Sequence, residues 1–137
     1  LLTKEDMYMI KLNYMYFYIT PMFMLLLTLM MWLIYPFWSN LMVMNMSFMY
    51  LMCCFSLGGY GLMISGWSSN SAYSMLGSMR SLSQSISYEV SLSIIMISSI
   101  ILIDSFNMIN FFLFQNMFWM IIYVWPIMFM FFFSIMA

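Results

Sequence analysis

Between Leu12 and Met79 the chain runs for 68 residues without a single Asp, Glu, Lys or Arg. A soluble domain carries roughly 25% charged residues, because its surface must hold water. Over the whole chain 5% of residues are charged and 66% are hydrophobic, which leaves too little polar material to coat a soluble fold. An integral membrane protein in contact with the lipid bilayer is therefore expected. The chain opens with Leu1 in place of Met and ends at Ala137 inside an apolar run, so both ends read as truncations. No cleavable signal is expected, since Lys4, Glu5 and Asp6 give a mixed-charge start in place of a basic patch.

A bilayer core about 30 Å thick takes about 20 residues of helix, the form that satisfies its own backbone polar groups in lipid. Four segments meet that length, and spans are expected near 14–38, 45–65, 86–103 and 118–137. Runs such as Met22–Leu27 and Ile94–Ile97 do not alternate, which argues against barrel strands. Residues 66–85, opening with Gly66-Trp67-Ser68-Ser69-Asn70-Ser71, are too polar to cross comfortably. They read as a loop followed by a surface helix. The expected fold is all-α and polytopic, one membrane domain fragment with four transmembrane helices.

Four crossings put the N-terminal arm, the 66–85 connection and the C-terminus on one side. All three cations, Lys4, Lys11 and Arg80, then share that side, which the positive-inside rule makes the side of insertion, the matrix in a mitochondrion. Pro21, Pro36 and Pro126 read as kinks or span-end residues, and Trp32, Trp38 and Trp67 as interfacial anchors. Cys53 and Cys54 read as small hydrophobes. With no histidine and two cysteines, neither a haem nor a four-cysteine iron–sulfur site is expected, and no metal or nucleic acid is.

Fourteen serines lie between Ser65 and Ser99, and Ser74, Ser78, Ser81 and Ser85 share one helical face. Small residues on a face let helices approach closely, and Gly77/Ser81 and Ser87/Ser91 repeat that spacing. The alternative is a hydroxyl-lined water path.

Glu89 is the sharpest single feature. A carboxylate at a helix centre costs about 2.5–3.5 kcal/mol on insertion scales, and ionisable groups inside spans usually serve function. Proton handling is the functional reading of such a group. A span beginning near Ile86 leaves a second reading, in which Glu89 snorkels to the interface. Arg80, nine residues earlier and too far for a pair on one helix, is either a topogenic charge or a fixed cation that polarises a nearby polar cavity and offsets the charge on carboxylates, and a turn between the segments could bring it to Glu89. Asp104 reads as a solvated helix-end residue.

The run Gly66–Gly77 followed by Met79-Arg80-Ser81-Leu82-Ser83-Gln84-Ser85-Ile86-Ser87-Tyr88-Glu89-Val90 resembles the signature of subunit 1 of mitochondrial respiratory complex I, the proton-pumping NADH:ubiquinone oxidoreductase. Leu2-Thr3-Lys4-Glu5 is similar to the segment leading into that family's second helix. Serine stands at Ser74, Ser78, Ser81 and Ser83 where the family often has alanine. The resemblance implies an eight-helix subunit of the mitochondrial inner membrane, of which this chain holds helices two to five.

It further implies a part in the ubiquinone tunnel, with ubiquinone as substrate of the complex and its reduction coupled to proton translocation. Glu89 would be a proton-relay carboxylate, Tyr88 its neighbour and Arg80 its electrostatic partner. The partners implied are other subunits of the membrane arm and of the quinone-binding hydrophilic arm. FMN and iron–sulfur clusters would reside in those partners only, since no nicotinamide, flavin or cluster motif occurs here. Two rivals are an ion transporter using Glu89 without redox chemistry, and a scaffold in which Glu89 is replaceable.

Overall fold

The computed structural model describes residues 10–35 and 43–136. Every regular element among them is helical: α1 Tyr14–Met31, continued by a 3-10 turn over Trp32–Ile34, α2 Ser47–Ser69, α3 Ala72–Ile101, α4 Asn110–Phe114, α5 Met120–Tyr123 and α6 Trp125–Met136. Three of these are long and apolar enough to cross a membrane, Tyr14–Ile34, Ser47–Ser69 and Ala72–Ile101. The expected first span reaches Trp38, but Pro36, Trp38 and the Ser39-Asn40 turn lie outside the described residues, as do Lys4, Glu5 and Asp6.

The long helices form an antiparallel row in which α1 packs on α2, α2 on α3, and α3 on α6. Backbone bonds fix the ends of the row. Asn13 N–H donates to Ser68 O at 3.0 Å, so α1 begins where α2 ends. Phe48 N–H donates to Phe106 O at 3.2 Å, so α2 begins where the chain leaves α3. Few side chains are buried by this arrangement, Leu27, Phe48, Cys54 and Ile100 among them. Most large apolar groups face outward, the distribution of a chain whose surroundings are lipid and other helices.

Pro21 sits inside α1 and has no N–H to give the carbonyl four residues back, that of Phe17. The buried Thr20 hydroxyl donates to that carbonyl at 3.1 Å. A side chain thus supplies the bond that the proline withholds, and the helix continues to Met31.

Two features depart from the sequence expectation. The polar run 66–71 is not an extended loop: α2 carries on to Ser69, and the chain reverses over Asn70 and Ser71. Asn70 takes the left-handed conformation with φ 47° that asparagine tolerates, and the Ser71 hydroxyl caps α3 by accepting Ser74 N–H at 3.3 Å. From Ala72 to Ile101 there is then one uninterrupted helix of 30 residues in place of a surface helix over 73–85 and a separate span from 86. The fourth expected span, 118–137, takes the form of α5 and α6. They are divided at Val124, two residues before Pro126, and α6 alone has 12 residues.

Candidate functional site in the third helix

Serine can occupy so much of α3 because its hydroxyls bond within the helix. Ser78, Ser81, Ser85, Ser87, Ser91 and Ser99 each donate to the carbonyl three residues earlier, at 2.7–2.9 Å. Each donor is thereby satisfied without water. This favours close packing over a water path, and the contacts with α2 agree. A Cβ added at Gly59 would stand 2.8 Å from Ser85 Oγ, and one at Gly66 would lie 3.1 Å from Ser74 O while colliding with the Ser78 side chain. The seven-residue step from Gly59 to Gly66 thus matches that from Ser78 to Ser85, two small surfaces running antiparallel. Gly77, expected to join this contact, faces open space.

Glu89 continues the same stripe. At 100° per residue it lies one turn beyond Ser85 and within about 20° of Ser78 around the helix axis, on the side turned toward α2. Its side chain is half-buried, as is that of Tyr88. Twelve residues separate Glu89 from Ile101, the nearer end of α3, or about 18 Å of helix. At about 45 Å, α3 is longer than a hydrocarbon core of about 30 Å, so its continuity from Ala72 leaves both the relay and the snorkelling readings of Glu89 standing.

Arg80 is exposed and lies on the other side. Nine residues of continuous helix rotate a side chain by about 180° and advance it by about 13–14 Å. The turn that could have brought the two charges together does not form, because one continuous helix carries both. Among the described residues, no hydrogen bond or ion pair joins the Glu89 carboxylate to a partner. Asp104, exposed at φ 53° just past the end of α3, is the helix-end residue the sequence indicated.

Cys53 and Cys54 are free thiols, the second buried. No group of three His, Cys, Asp or Glu side chains capable of holding a metal occurs among the described residues. Three contributors escaped the sequence reading. Thr20 could have been found from its place directly before a proline, and Gly59 from its spacing to Gly66. Ser47, which ties α2 to the chain beyond α3, left no local signal.

All 137 residues match the family described as NADH dehydrogenase. The chain belongs to that family. Among curated NADH dehydrogenase relatives, the NADH-ubiquinone oxidoreductase chain 1 of Anopheles gambiae is 45% identical over 96 residues, covering 70% of this chain and 31% of the mosquito protein. The protein of the same name from Locusta migratoria is 48% identical over 84 residues, 61% of this chain and 26% of its own length. A bacterial relative, an NADH-quinone oxidoreductase subunit from Wolbachia sp. subsp. Brugia malayi, is 36% identical over 110 residues, 70% of this chain and 32% of that protein. The chain therefore spans about a third of the length of these relatives.

Proposed function

We propose that this chain is part of the core membrane subunit of respiratory complex I that contributes to the ubiquinone tunnel and couples NADH-to-ubiquinone electron transfer to proton translocation across the mitochondrial inner membrane. The observation that carries the reading is Glu89, a half-buried carboxylate in the middle of a membrane-length helix, on the face turned toward α2. A carboxylate held there at a cost of a few kcal/mol is retained for what its proton can do. Family membership supplies the redox context.

In this reading Glu89 takes up and releases a proton, and Tyr88 lies beside it on the next helical position. Arg80 acts from the opposite face. Its cation sets the potential of the polar surroundings there and meets carboxylates outside this chain. The electrons never pass through these residues, and FMN and iron–sulfur clusters belong to partner subunits of the hydrophilic arm. Moving one charge against the membrane potential requires about 2.3 kcal/mol per 100 mV, the work that quinone reduction would drive.

Lys11 and the Asn70–Ser71 turn share one end of the helix row, and Arg80 lies nearer that end than the other. We place that end on the matrix side. Glu89→Gln in the intact complex tests the function. The relay predicts that quinone reduction and proton translocation both fall while assembly persists. Unchanged rates would instead support a scaffold role. The transporter reading has no support once family membership is established.

A further inference from the structure

Glu89 is turned toward α2, so the residue that meets it across the contact follows from the register of the two helices. Two close approaches fix that register: Gly59 stands against Ser85, and Gly66 against Ser78. The helices run antiparallel, so a step toward the start of α2 is a step toward the end of α3. Three residues back from Gly59 is Ser56, and four residues on from Ser85 is Glu89. These steps move about 4.5 Å and about 6 Å in the same direction along the row, which leaves Ser56 and Glu89 level to within about 2 Å.

The rotations agree with the levels. Ser56 is turned about 60° from Gly59 and Glu89 about 40° from Ser85, and in antiparallel right-handed helices these turns carry both residues to the same flank of the contact. Phe55, also at this level, is turned about 40° the other way and lies on the opposite flank. Ser56 and Glu89 are both half-buried. The Ser56 hydroxyl donates to Cys53 O at 2.8 Å. That carbonyl also accepts the Leu57 N–H of the helix ladder, so the hydroxyl can rotate away without leaving it unbonded. A hydroxyl both donates and accepts, whereas a neutral carboxylic acid has a proton to donate and its anion can only accept. A group that alternates between those two states is served in both by a hydroxyl.

We propose that Ser56 is a positioning residue for Glu89, its hydroxyl accepting from the neutral acid and donating to the anion across the α2–α3 contact. This role rests on the relay reading of Glu89. Ser56 meets no substrate and holds the carboxyl group in one place while the proton comes and goes.

The test is a double-mutant cycle in the intact, assembled complex, with NADH-driven proton translocation and quinone reduction as the two readouts. Ser56→Ala alone is expected to slow both several-fold. In the Glu89→Gln background Ser56→Ala is expected to add nothing, because the proton that the hydroxyl serves is gone. Slowing by the same factor in both backgrounds overturns the proposal and assigns Ser56 to helix packing alone. Wild-type rates for Ser56→Ala beside a slowed Glu89→Gln complex overturn the positioning role and leave the relay standing. Wild-type rates for Glu89→Gln remove the relay, and the positioning role with it.

Discussion

Arg80 and Glu89 stand on opposite faces of one unbroken helix, about 13–14 Å apart along its axis. Substitutions at the two positions should therefore act independently. For sites this far apart without shared partners, effects add to within about 0.3–0.5 kcal/mol. In a double-mutant cycle of Arg80→Ala and Glu89→Gln, the logarithms of the quinone reduction rates are expected to be additive. A coupling well above that margin would show that the charges share an intermediary.

Gly66 and Gly77 give a paired test of the α2–α3 contact. A methyl group at Gly66 meets α3 backbone and Ser78, so Gly66→Ala should destabilise by about 1–3 kcal/mol, the usual cost of overpacking. At Gly77 the same methyl meets nothing within 4 Å, and Gly77→Ala should be neutral or stabilise by about 0.5–1 kcal/mol through helix propensity. Thermal midpoints of the two variant complexes give the comparison.

Much of this packing was readable in advance. The charge-free stretch set the all-α membrane class, and the spacing of Ser74, Ser78, Ser81 and Ser85 picked out the face that meets α2. The length of α3 was not readable, because a serine-rich run looks like a loop when each hydroxyl is counted as exposed polarity. Those hydroxyls bond to their own helix, and Asn70 compresses the reversal into two residues. The same reading left room for a turn between Arg80 and Glu89 that the continuous helix does not contain. Pro126 was read as a kink or span-end residue, and the break at Val124 falls two residues before it; what the apolar run did not show is that the helix would divide there into two pieces.

Thr20→Val keeps shape but removes the hydroxyl that serves the Phe17 carbonyl. That carbonyl then has neither a proline N–H nor a side-chain donor. Destabilisation of about 1–3 kcal/mol is expected, with Thr20→Ser recovering most of it. Adding Pro21→Ala to Thr20→Val should restore stability, because the alanine N–H can take over the bond. Thermal midpoints of the complex follow the series.

Ser47→Ala removes the acceptor of Met108 N–H in a buried position. The cost should be about 1–3 kcal/mol, felt locally. Faster hydrogen exchange at Met108 and its neighbours, with α3 unchanged, is the expected signature.

The central claim is that Glu89 relays protons, and the most direct measurement is the rate of NADH-driven proton translocation by the intact, fully assembled Glu89→Gln complex. The account predicts a fall on the order of tenfold or more, accompanied by slowed quinone reduction and partly recovered by Glu89→Asp. Translocation and quinone reduction at wild-type rates in the Glu89→Gln complex would contradict it.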